Sequence, residues 1–241
     1  MAAYMKTEMP FYGVQKPGRV AVIRQMKRAF VPESAGDYAA GVRALWALPH
    51  REERYLALSF ASAHRRFVTV EQLDLYESLI REGAWWDLVD EIIMKLVNPI
   101  TLEAKRRGDS SVRQTMDAWV GDPDLWIRRA AILCQAKHKL HTDADQLFGY
   151  CVARAPEREF FIRKAIGWAL REYSKHEPSA VRDFLLGHRS QVSGLSRREG
   201  AKHLIRQGLM RSAELHPDRT SPTPHGGSSP GEASDLTLKS I

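Results

Sequence analysis

Asp90 is the residue in this chain best placed by type and context to do chemistry. Several segments share one pattern: a lead residue, then bases, then a run of small and apolar positions. Trp126-Ile127-Arg128-Arg129-Ala130-Ala131-Ile132-Leu133 and Phe161-Ile162-Arg163-Lys164-Ala165-Ile166-Gly167-Trp168 are two copies. Leu195-Ser196-Arg197-Arg198-Glu199-Gly200-Ala201 is a degenerate third, and Arg51-Glu52-Glu53-Arg54-Tyr55-Leu56-Ala57 a fourth. Laid over them with a residue or so of slip, Trp85-Trp86-Asp87-Leu88-Val89-Asp90-Glu91-Ile92-Ile93 puts Asp90 where the others carry Arg54, Arg129, Lys164 and Arg198. A lone acid in a row of bases is either an ion-pair partner or a poised reactant.

The neighbours suggest what it could react with. Trp86 lies four residues before Asp90 and so shares its face on a helix. Arg129 and Trp168 occupy the same part of later repeats. Arg128, Arg163, Lys164, Arg197, Arg198 and Lys202 add positive charge nearby. Aromatics amid cations suit nucleic acid, because charges hold phosphates and ring faces meet sugars or bases. A fixed carboxylate there could stabilise the positive charge that builds on a sugar during glycosidic cleavage, or orient a water against it. Trp rings would favour a cationic base. Plainer readings compete: Trp86 and Trp168 as core residues, Asp90 as a counter-charge for Arg129, the bases as a solvated helix face. His138 and His141 sit one turn apart, with no acidic or Cys partner completing a metal-ligand spacing. The chain has no Gly-rich phosphate loop, GxSxG elbow or HExxH.

Helices must position these residues, since the periodicity is helical throughout and no alternating stretch is long enough for a strand. The expected helices run from Lys16-Pro17 to about Phe30, Ser34 to Leu48, Glu52 to Phe67, Val70 to Arg81 and Trp86 to Leu96. Further ones cover Ser111 to Val120, Asp124 to Lys139, Asp143 to Ala153, Arg158 to Lys175, Pro178 to Leu186 and Ser196 to Met210. Pro17 suits a first turn and Gly83 a helix end. The helix from Glu52 has apolar positions too crowded for one narrow face, so it is expected to be largely buried. Asp90 and the bases laid over it recur every 34 to 39 residues, the period of a two-helix repeat. The fold class expected is all-α: a right-handed α-solenoid of HEAT-like repeats with a concave basic face.

A chain of 241 residues with 44% hydrophobic and 27% charged residues can build a sizeable core. No apolar run approaches the ~18 residues that span a bilayer, and the N-terminus lacks a signal-peptide layout. Cys134 and Cys151 have no CxxC spacing and read as small buried apolar residues, which fits a reducing cytoplasm. The net charge is +7, and His216 to Ile241 carries one more acid than base, so the basicity belongs to the rest of the chain. Such a domain attracts polyanions, nucleic acid above all. The division expected is a repeat domain over 1–213 and a Pro/Ser/Gly-rich tail over 214–241, too poor in apolar residues to order.

At several of these residues the chain resembles the AlkD-type DNA alkylation repair enzymes, HEAT-like repeat DNA glycosylases. The resemblance lies in Tyr4-Met5-Lys6, Trp85 to Asp90, Trp126 to Leu133, Phe160 to Trp168, Leu170-Arg171-Glu172-Tyr173 and Leu195 to Glu199, in order over roughly residues 4 to 210. It implies excision of positively charged N3- and N7-alkylated purines from double-stranded DNA, as a monomer, with no cofactor and no metal, in base excision repair. The base would leave while still in the duplex, and the protein would work in the cytoplasm at the nucleoid. Asp90 matches the family's catalytic aspartate, and Trp86 and Trp168 match the aromatics that cradle the lesion. Arg129 matches a DNA-contacting arginine and Tyr4 a residue near the lesion. Lys6, Arg128, Lys164, Arg197 and Arg198 complete the expected DNA-binding set. Two departures stand out. Only three residues precede Tyr4 where the family usually has a helix, so either the chain starts further upstream or the first repeat is truncated. The tail is not a family feature. The alternative is a non-catalytic helical-repeat module that binds DNA or a protein through the same face.

Overall fold

The computed structural model describes residue 5 and residues 7–216. Tyr4, Lys6 and residues 217–241, most of the expected tail, lie outside the described residues. Twelve α-helices, with short 3-10 and π turns, account for the regular structure there, and no strand occurs among the described residues. In chain order they are α1 (Lys16–Ala29), α2 (Ala35–Trp46), α3 (Arg51–Ala63), α4 (Leu73–Gly83), α5 (Trp86–Ile92) and α6 (Asn98–Arg107). Then follow α7 (Ser111–Val120), α8 (Leu125–Leu133), α9 (Ala144–Arg154), α10 (Phe160–Tyr173), α11 (Pro178–Gly187) and α12 (Gly194–Arg206).

Sequence punctuation accounts for many of the boundaries. Ser34 caps α2 through a reciprocal pair with Asp37, and the side chains of Asp124 and Asp143 accept the first free amides of α8 and α9. Pro17 and Pro178 sit in first turns, where a missing N–H costs nothing. Other boundaries differ from expectation. The left-handed residue ending α4 is Ala84, not Gly83. Gly83 is instead a packing position, because a Cβ there would lie 3.3 Å from the Trp46 ring. The helix expected over Asp124 to Lys139 stops at Leu133, and a separate 3-10 turn covers Lys139–His141.

The largest difference follows Asp90. The helix expected to end at Leu96 continues through a π-turn (Ile93–Val97) into α6 and reaches Arg107. Pro99 has no N–H to offer the preceding turn, which makes this stretch read as a stop in sequence. Asn98 bridges the break: its amide donates to Ile93 O and Leu133 O, both at 3.0 Å, and its Oδ1 accepts the Lys137 amide at 2.9 Å. One buried side chain thus ties the helix bearing Asp90 to the end of the next repeat.

The repeats are visible in the tertiary contacts. Helix pairs α2–α3, α4–α5, α7–α8 and α11–α12 pack internally, and the second members α3, α5, α8, α10 and α12 contact one another in series. Side-chain bonds link equivalent places one repeat apart. Examples are the Tyr38–Tyr76 hydroxyls at 2.7 Å, Trp46 Nε1 to Glu82 at 2.8 Å, Arg81 to Asp122 at 2.7 Å and Thr101 to Cys134 O at 2.8 Å. The helical-repeat expectation is met. Helix α3 has no exposed residue, as its crowded apolar pattern implies. A continuous core runs from Tyr38 to Leu215 and includes both cysteines as buried thiols. Each Leu or Ile it covers contributes about 1.5–3 kcal/mol. The last element among the described residues is a 3-10 turn at Ser212–Leu215, held by Leu215 in the core and an ion pair of Glu214 with Arg182 at 2.8 Å.

Candidate active site

Asp90 lies on α5, one turn after Trp86, while Leu88, Val89 and Ile92 on the other side of the helix are fully buried. That amphipathic split turns Trp86 and Asp90 into a cleft of about 480 Å³. Arg129 enters from α8, and α10 supplies Phe160, Phe161, Lys164, Trp168 and Arg171. Glu199 and Lys202 close it from α12. Four residues separated by up to 82 positions in sequence, Trp86, Asp90, Arg129 and Trp168, therefore share one wall. Trp86 and Trp168 are half-buried, neither core residues nor free surface.

Asp90 and Arg129 are locked together. The Arg129 fork donates Nε–H to Asp90 Oδ1 at 2.8 Å and Nη2–H to Oδ2 at 2.9 Å. Its remaining arm donates to Phe161 O at 2.7 Å. The guanidinium is 5.9 Å from the ring centres of both Phe161 and Trp168. With only 5% of its side chain exposed, Arg129 is a buried cation that requires its partner, whereas Asp90 keeps 19% facing the cleft. Burial pushes the Asp90 carboxyl above its ordinary range; the Arg129 fork pulls against this, and Asp87 adds to it. Asp87 faces the other way and accepts from buried Arg51 and from Tyr55 in the preceding repeat. Behind the cleft, Trp85, Trp126 and Phe161 form an aromatic cluster with ring centres 4.9 to 6.0 Å apart.

A second ionic centre sits across the cleft. Glu199 accepts Lys202 at 2.7 Å and Lys164 at 2.9 Å on Oε1, and Arg171 at 3.0 Å on Oε2. Burial alone would raise this carboxyl, but Lys202 and Lys164 bring it down to about 2. Sequence reasoning used Lys164 and Lys202 as positive charge and took Glu199 and Arg171 only as motif letters. Phe160, 56% exposed at the rim, was also missed as a cleft residue. Its position directly before the aligned Phe161 was the available signal.

The other expected DNA contacts divide. Arg128 is tied into the protein: it donates to Asp122 O and Pro123 O, each at 2.7 Å, and pairs with Glu157 at 3.0 Å. Arg197 is half-buried and donates to Val192 O at 3.0 Å, while Arg198 is exposed. Neither lines the cleft. His138 is buried, with Nε2 beside Asn98 O and the Thr101 hydroxyl, both at 3.1 Å; burial drives its pKa down to about 4.

The fold and the site define a helical-repeat protein with a carboxylate held beside aromatics in a cleft that cations also line. The sequence profile of the DNA alkylation repair enzymes matches residues 1–204, and the chain belongs to that family. Its role is thus in the repair of alkylated DNA. Among solved structures, one described as a predicted DNA alkylation repair enzyme from Enterococcus faecalis aligns with a TM-score of 0.75 and 29% identity. The alignment covers 85% of this chain and 92% of that one. No curated protein matches the sequence. No described helix is long and apolar enough to cross a membrane.

Proposed function

We propose that the protein is a monofunctional DNA glycosylase that excises positively charged N3- and N7-alkylated purines from duplex DNA. It would act as a monomer without a cofactor, at the nucleoid, in base excision repair. The observation that carries this reading is the Asp90 carboxylate, fixed by Arg129 at the wall of a cleft whose lining includes Trp86, Phe160 and Trp168. In the reaction the C1′–N9 bond breaks and its electron pair leaves with the purine, cancelling the positive charge that alkylation placed there. Charge appears on the sugar instead, and an already oriented carboxylate stabilises it without reorganisation. Water then adds to C1′ and gives up a proton, leaving an abasic site. Trp86 and Trp168 would pack against the deoxyribose and backbone, and Lys164 would hold a phosphate. Tyr4, Lys6, Arg197 and Arg198 would extend the DNA contact.

One observation favours the non-catalytic alternative. Both Asp90 oxygens already accept from Arg129, as they would in a purely structural pair. Incubation with a 7-methylguanine-containing duplex decides between the two. The glycosylase releases free base and leaves an alkali-labile abasic site, whereas a protein that binds this duplex tightly and releases nothing is the binding module.

A further inference from the structure

We propose that Lys164, Arg171 and Lys202 form a phosphodiester-binding site whose strength is set by Glu199, a built-in competing anion. This rests on the reading that the cleft receives duplex DNA. Of the six charged groups lining the cleft, Asp90 and Arg129 cancel one another in a two-bond pair. The positive potential left over therefore comes from the three cations around Glu199, one of whose charges that carboxylate neutralises.

Glu199 is held where it is. A Cβ added to Gly167 would lie 2.4 Å from Glu199 Cβ and 2.9 Å from Ser196 O, so α10 and α12 cross here with no space between them. The base of the side chain is thus fixed against α10, and the three ion pairs hold the carboxylate between the cations. The lysines are not used up by it. An ammonium has three donors, and the contacts found at Lys164 and Lys202 give Glu199 one from each. Their side chains remain 36% and 55% exposed. Glu199 thus gathers the ammonium groups, spares them the entropy of being collected by the ligand, and reduces the site from three charges to two. A tetrahedral anion bridging the two lysines fits this arrangement, and a duplex lying over Asp90 presents one as its backbone phosphate.

The role of Glu199 as an attenuator makes the result of removing it counter-intuitive: a buried ion-pair partner is lost and binding improves. Binding of the full-length protein to an undamaged duplex across a salt series tests this. E199Q keeps the shape and one acceptor oxygen while deleting one negative charge ~5 Å from the phosphate, which in water amounts to about fourfold tighter binding. K202Q, an exposed change, removes a contact and makes the log–log salt slope shallower by about one. Unchanged or weaker binding by E199Q, or an unchanged slope for K202Q, overturns the proposal. Base release, followed in parallel, keeps the two readings apart. Loss of base release with the binding pattern intact removes the glycosylase alone. Base release with unaltered binding by both variants removes this site alone.

Discussion

Replacing Asp90 by Asn separates a catalytic carboxylate from a structural one, because the proposed reaction gives the same side chain both duties and different measurements read them. Asn keeps the size and one acceptor, so one of the two Arg129 bonds survives and the Phe161 O contact is untouched. The loss is one charge-assisted bond together with the counter-charge of a buried guanidinium, about 3 kcal/mol. At this chain length it corresponds to a fall in melting temperature of roughly 6–12 °C, so the variant is assayed well below its transition. The loss in catalysis is separate and is read in the rate, not in the melting temperature. Removing one preorganised group that stabilises transition-state charge costs about 100-fold or more in rate, close to 2.7 kcal/mol in the barrier. The assay is single-turnover release of 7-methylguanine from duplex DNA, with binding to the same duplex measured beside it. Burial raises the Asp90 carboxyl, and in the proposed reaction the ionised form is the active one. Wild-type activity should therefore fall with decreasing pH at a point above the ordinary aspartate range, and Asp90→Asn should lack that limb. A variant that is destabilised as stated yet releases base at the wild-type rate would show Asp90 to be a counter-ion only.

Further predictions test the scaffold. Gly167→Ala places a methyl group 2.4 Å from Glu199 Cβ and against the α12 backbone; it should cost at least about 1–3 kcal/mol in chemical denaturation, and wild-type stability would refute the tight crossing. His138 titrates at about 4 when folded against 6.5 for the free group, so its share of stability is complete above pH 6.5 and lost as pH falls toward 4. Over that window the slope is about 1.4 kcal/mol per pH unit, and His138→Gln should flatten it. Glu199 has its folded pKa lowered from 4.5 to about 2; its contribution is full above pH 4.5 and disappears below. The stability gap between wild type and Glu199→Gln should hold constant above pH 5 and narrow on acidification, as read from melting temperatures.

The helices were legible because helical periodicity and caps are local. Ser34, Asp124, Asp143, Pro17 and Pro178 each act within a turn of where they stand, and the sequence places most boundaries within a few residues. The stretch after Asp90 was not legible, since the π-turn is braced by the Asn98 side chain, which bonds Ile93 O and also reaches Leu133 O 35 residues away. The cleft shows the same division. Repeat spacing alone singles out Asp90 and predicts that Trp86, Arg129 and Trp168 meet, which they do.

Which basic residues face the cleft was settled only in three dimensions. Arg128 and Arg129 are adjacent and look equivalent in sequence, yet a helix sends neighbours about 100° apart. One is spent on Glu157 and two loop carbonyls, the other on Asp90. Glu199 carried no signal beyond its place in a motif, because two of its three partners, Lys164 and Arg171, come from the facing turns of α10. Sequence thus determined the helices, their repeat and the anomalous acid, all properties of residues within one element or one period. Tertiary packing decided the partners, since a charge pairs with whatever lies within 3 Å of it, and that distance is fixed by how neighbouring repeats stack.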